Sequence, residues 1–135
     1  MDIDTPIMIA FFLCLISGLF DGTAETLKFH PFGFFHVFKK ADRNIWDPAL
    51  SWVSKYKNND PSQGPRFWQS TKALVFWTDG YHRMRWFRNW IILLAILVMP
   101  DMPEWYMYPA AFALCYAAYT VGFSAVYDHL FGYRE

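Results

Sequence analysis

No lysine or arginine precedes Lys28, and none falls between Arg88 and Arg134. Charge of either sign is scarce: charged residues are 18% of the chain, against 21% aromatic and 55% hydrophobic. A soluble domain carries about 25% charged residues. The missing N-terminal cations leave the first apolar run without the basic leader of a secretory signal. No small-x-small cleavage pattern follows it cleanly, so the run is expected to stay as a membrane helix. There are only two cysteines, Cys14 and Cys115, each inside an apolar run. No disulfide framework is implied, and they read as small buried hydrophobes. HExxH, paired CxxC, phosphate-loop and haem-attachment motifs are all absent, as are internal repeats and low-complexity tracts. Haem is not expected, and with a formal net charge of zero neither is a nucleic-acid partner.

The apolar residues that are present come in blocks. An α-helix needs about 20 predominantly apolar residues to cross the hydrocarbon core. The blocks predict an all-α fold, an integral membrane bundle of about three transmembrane helices over residues 6–27, 81–99 and 105–127. Residues 28–80 form an interfacial segment with one or two amphipathic helices. Within it, Asp47-Pro48 reads as an N-cap followed by proline in the first turn. It opens a helix to about Lys57 with Leu50, Trp52, Val53 and Tyr56 on its apolar side. Asn58-Asn59-Asp60-Pro61 and Gln63-Gly64-Pro65 read as turns. Residues 67–80 either extend the second span or break at Gly80 into a separate interfacial helix.

Three spans put the termini on opposite sides. All twelve Lys and Arg residues then share one side, and Asp2, Asp4, Asp101 and Glu104 occupy the other. The positive-inside rule places the N-terminus outside and the C-terminus in the cytoplasm, in a plasma membrane of the bacterial inner type. Six of the seven tryptophans, Trp46 to Trp90, gather near the cytoplasmic interface.

Chain direction brings three polar helix ends to that same side: Asp21 and Glu25, then Asp79 and His82, then Asp128 and His129. Asp21 and Glu25 are four apart and share a helix face, as do Asp79 and His82 at three apart. With the first span centred near Ile16, Asp21 lies about 7–8 Å from the midplane, inside a hydrocarbon half-thickness of about 15 Å. An ionisable group there costs about 2.5–3.5 kcal/mol and demands a partner. His82, Arg83 and Arg85 are the expected ones.

Three arrangements fit these residues. Asp21, Glu25 and His82, with Asp79 orienting His82 and His30, His36 or His129 contributing, could hold zinc, iron or manganese and activate a water. The same carboxylates and histidine could act without metal as an acid–base pair or proton relay. They could also form an ion-paired network that locks the helices. Lys55, Lys57, Arg83 and Arg85 are candidate contacts for an anionic headgroup, against a background of ordinary positive-inside anchoring. Gly18-x-x-x-Gly22, the Ala110/Ala113/Ala117 stripe and Ala118 with Gly122 allow close helix approach, within the bundle or between copies.

The pattern Trp46-x-Pro48-x-x-Ser51-Trp52-x-x-Lys55-Tyr56-Lys57-Asn58, followed by Asp60-Pro61-x-x-Gly64-Pro65 and Thr78-Asp79-Gly80-Tyr81-His82, resembles a family of small, functionally unassigned bacterial integral membrane proteins. Tyr81 stands where that family has tryptophan. The resemblance covers roughly residues 15–85 and implies a shared topology but no reaction. The expected function is a membrane-embedded enzyme, a metal-dependent hydrolase of a lipid or membrane-associated substrate at the cytoplasmic interface. The alternatives are an accessory or oligomer-forming subunit of a larger complex, and a small ion or proton conduit lined by Asp21 and Tyr116.

Overall fold

The computed structural model describes residues 4–132, and every regular element among them is helical. Asp2 and Arg134, which entered the charge asymmetry, lie outside the described residues. The first helix, α1, runs Asp4–Phe29 and ends where His30 precedes Pro31, since a residue before proline is disfavoured in the α region. Pro31 then opens α2, Pro31–Val37.

Aspartates set the boundaries of the next segment. Asp42 accepts from the Asn44 amide at 2.9 Å and caps α3, Arg43–Trp46. Asp47 accepts from Ala49 at 3.0 Å and caps α4, Pro48–Ser51. The chain continues as a 3₁₀ turn over Trp52–Lys55, so the expected helix over 48–57 is there only as two short, dissimilar turns. A tight loop follows, in which Tyr56 pairs with Pro65 and the Lys57 amide donates to the Gly64 carbonyl at 3.1 Å. Asn58, Asn59 and Gly64 take positive φ, as turn chemistry demands.

Residues 67–78 are neither a continuation of the second span nor a separate α-helix. They are turns and a short 3₁₀ segment, Val75–Trp77. Gln69 sits at φ 61°. The buried Ser70 hydroxyl donates to the Lys55 carbonyl at 2.7 Å and ties this stretch to the preceding loop. Such local side-chain bonding competes with helix formation.

Helix α5, Gly80–Val98, starts from an extended Asp79 and stops at Met99, before Pro100. Helix α6, Met107–Ser124, continues as a π-helical turn over Ala125–Leu130. Among the described residues, two helices, Asp4–Phe29 and Met107–Leu130, are long and apolar enough to cross a membrane. Both α5 and α6 pack along α1, which lies between them.

The α1–α6 seam is built from small residues. A Cβ on Gly18 would strike the Tyr119 carbonyl, one on Gly122 would strike the Leu15 carbonyl, and one on Gly22 would sit 2.7 Å from the Phe123 carbonyl oxygen. The Gly18-x-x-x-Gly22 pattern is therefore used inside the bundle, with Ala118 and Gly122 opposite. Ala110, Ala113 and Ala117 face outwards. Beyond the seam, Leu27, Phe34, Phe35, Met84, Val126 and Phe131 form a core where the three long helices meet α2.

Candidate functional site

Asp21 is 7% exposed, and both of its carboxylate oxygens are engaged. Arg88 donates from Nη1 to Oδ1 at 2.6 Å, and the Tyr119 hydroxyl donates to Oδ2. One carboxylate thus joins α1 to α5 and α6 together. The Arg88 guanidinium is steadied by Asn89 Oδ1 at 2.9 and 3.1 Å. Ser17, one turn before Asp21, donates to the Arg88 carbonyl at 3.4 Å.

One turn further along α1, Glu25 accepts from Arg85 Nη1 at 3.4 Å, and Arg85 also donates to the Tyr81 hydroxyl at 3.2 Å. The two pairs express one antiparallel register: four residues forward on α1 correspond to three back on α5.

The partners expected for Asp21 were His82, Arg83 and Arg85, and the structure gives it Arg88 and Tyr119 instead. Arg83 turns back, placing Nε 3.4 Å from the Phe76 carbonyl and Nη2 3.3 Å from that of Trp77, with its guanidinium over the Trp46 ring. Sequence reasoning missed both true partners. The spacing of Arg85 and Arg88, matched against Asp21 and Glu25 in an antiparallel pair, was the available signal. Tyr116, read as lining a path with Asp21, is 63% exposed and shares a cavity with Cys14 of α1 and Tyr119.

The expected Asp79–His82 pairing is present. Asp79 is buried, accepts from the His82 amide at 2.8 Å and caps α5. Its two oxygens also lie 2.7 and 2.9 Å from His82 Nδ1. A carboxylate on one ring nitrogen leaves Nε2 available to solvent or a ligand. The His82 side chain is 43% exposed and borders an open cavity of about 450 Å³ shared with Tyr81, Arg85, Trp86 and Asn89.

The remaining candidates are dispersed. His30 precedes α2 and meets the Tyr127 ring edge at 5.7 Å between centroids. His36 lies beside Phe32. His129 is exposed in the π-helical turn, and Asp128 accepts from Ser124 Oγ at 2.7 Å. Among the described residues, no three of His, Cys, Asp and Glu come together closely enough to share a metal ion. Asp21, Glu25, His82, His30 and His129 do not form one cluster. Lys55 lies over the Tyr56 ring, and Lys57 is exposed on the loop.

Outside the spans, Asp60 accepts from the Ser62 hydroxyl and amide and from Gln63, and these bonds hold its carboxyl below the ordinary carboxylate value. No protein-family model matches the chain, and no curated protein and no solved structure matches it either.

Proposed function

We propose that this chain is an integral membrane protein with three spans, α1, α5 and α6, and that it serves as a small non-catalytic accessory subunit. Its locked bundle holds the segment 30–79 against the cytoplasmic side of a bacterial inner membrane, with the N-terminus outside. The third span is supported by the surface of α5. Trp90, Leu93, Leu94, Ile96 and Leu97 are all exposed on it, a contiguous apolar face that water does not tolerate and lipid does. Its 19 residues make about 28 Å of helix, close to the hydrocarbon thickness of about 30 Å. Arg88, the deepest cation on it, is matched by Asp21.

The observation that carries the accessory reading is the closure of Asp21. Each oxygen of this acid accepts from a different neighbouring helix, Arg88 of α5 and Tyr119 of α6, so its hydrogen bonds serve to join the three long helices. Purified protein is expected to run as a fixed assembly, with itself or a partner, by native mass spectrometry, and to carry no stoichiometric metal. A stoichiometric metal that Asp21→Asn or His82→Ala abolishes overturns the reading. For topology, cysteines placed at Asn59 and Asp101 should react with an impermeant maleimide from the cytoplasmic and the outer side respectively.

One observation favours a second reading, hydrolysis of a membrane-associated ester at the cytoplasmic interface. The buried Asp79 engages His82 Nδ1, and His82 and Arg85 line one cavity. In that reading His82 takes a proton from a water whose oxygen bonds to the ester's acyl carbon. The ester C–O bond breaks, and the imidazolium, stabilised by Asp79, returns the proton to the departing alkoxide while Arg85 holds an anionic group. Phospholipid hydrolysis in vesicles by wild-type protein, lost in His82→Ala, supports it; no hydrolysis removes it.

A further inference from the structure

A second cavity, of about 440 Å³, opens on a different face from the His82 cavity. Phe34 is its central wall. Its ring stacks on Trp46 at 5.3 Å and meets Phe38 and Phe131 at 5.0 and 5.5 Å. Thr23 of α1, Met84 of α5 and Phe131 beyond α6 complete the lining, so the cavity lies at the cytoplasmic ends of all three long helices. Its volume falls in the range of about 300–1,000 Å³ typical of small-ligand sites.

The interior offers a ligand almost nothing polar. The one hydroxyl, on Thr23, already donates to the Leu19 carbonyl at 2.9 Å. What fills the cavity must therefore be apolar along its buried length. The rim is different. Lys40 lines the cavity and is exposed, and Lys39 beside it is exposed too. Among the described residues neither forms an ion pair. The nearby Arg43 lies over the Phe35 ring, with a long 3.5 Å bond to Asp47, and Asp42 is turned onto the amide and side chain of Asn44.

We infer that this cavity seats one acyl chain of an anionic phospholipid, with the phosphate on Lys40. An apolar slot with ammonium groups at its mouth, at the depth where helices leave the hydrocarbon, complements a lipid whose tail and negative head are separated by the same boundary. This places headgroup binding away from Lys55, Lys57, Arg83 and Arg85, of which Arg83 is turned onto the Phe76 and Trp77 carbonyls. The inference rests on the membrane placement proposed above.

The test uses the full chain in nanodiscs containing phosphatidylglycerol or phosphatidylcholine, each doped with the matching lipid bearing a diazirine on its acyl chain. After photolysis, labelled residues are mapped by mass spectrometry. Phosphatidylglycerol should label Phe34, Phe38 and Phe131 in preference to phosphatidylcholine. Lys40→Gln, an exposed change that leaves the core intact, should lower that labelling about fivefold. Ala41→Phe, which fills the slot, should abolish it. Equal cavity labelling by both lipids, or labelling unmoved by Lys40→Gln, overturns the inference, as does displacement of the label by inorganic phosphate alone. Labelling of the outer faces of α5 and α6 reports the placement separately. If those faces label and the cavity does not, the lipid site fails while the topology stands; if neither labels, the topology itself fails.

Discussion

Arg88 reaches across from α5 to Asp21 on α1 at 2.6 Å, and it does so in the one register that also lets Arg85 reach Glu25. The first pair is shielded, with side chains 19% and 11% exposed, while those of the second are 36% and 22% exposed. Burial decides their weights. Breaking a buried pair from one side strands a charge, whereas exposed pairs contribute about 1 kcal/mol or less.

Asp21→Ala is therefore expected to destabilise the bundle by about 3 kcal/mol, because Arg88 and the Tyr119 hydroxyl lose their acceptor together. The double variant Asp21→Asn/Arg88→Met should recover most of that loss, and Arg85→Gln should cost under about 1 kcal/mol. Equilibrium unfolding in mixed detergent micelles gives all three values. A double variant no more stable than Asp21→Ala would contradict a structural lock.

The α1–α6 seam makes a steric prediction. Gly18→Ala and Gly122→Ala each drive a methyl into a backbone carbonyl of the facing helix, where no rotamer change can relieve it. Each should cost about 1–3 kcal/mol. Ala113→Leu, on the outward face of α6, should cost nothing measurable by the same assay.

Asp79→Ala removes the cap of α5, at a cost of about 1 kcal/mol, and frees the His82 ring. Asp79→Asn keeps an oxygen for the cap and should restore most of the helix start. Hydrogen exchange at the His82 amide, which donates to Asp79 at 2.8 Å, reads this directly. Its protection should fall in Asp79→Ala and persist in Asp79→Asn.

Asp60 gives the loop over residues 57–65 a pH dependence. Its carboxyl is held below the ordinary value of 3.8 by Ser62 and Gln63, so the folded carboxyl binds its proton less readily than the unfolded one. The contribution to loop order is complete above that ordinary value and disappears as pH falls through the lower folded value. The Ser62 amide resonance should stay constant above about pH 5 and move towards a random-coil position only in acid. Asp60→Asn should remove the transition.

The start of α4 was legible because its signal is local: the Asp47 cap and Pro48 act within a turn of themselves. The need of Asp21 for a partner was legible too, from depth alone. Its identity was not, because that depends on register between two helices 67 residues apart in the chain. Register leaves only a faint trace, the match between a four-residue and a three-residue spacing of charge. Tyr119 was hidden for a similar reason. It lies four residues after Cys115 and three before Gly122, both buried in the seam, and only that packing turns it towards Asp21. Residues 67–78 misled because Phe67 to Trp77 are good helix-lining residues, while the bond from Ser70 to the Lys55 carbonyl comes from a loop fifteen residues earlier.

The spine-like position of α1 has a consequence for biogenesis. Both α5 and α6 rest on α1, yet α1 is made first, and in the proposed topology Asp21 enters the bilayer before the ribosome reaches Arg88. Through that interval the acid lacks the guanidinium it meets in the folded bundle. Arrival of α5 is then the event that fixes α1 at its depth. A nascent chain arrested before residue 80 should be extracted from membranes by alkaline carbonate far more readily than one arrested after α5 has inserted.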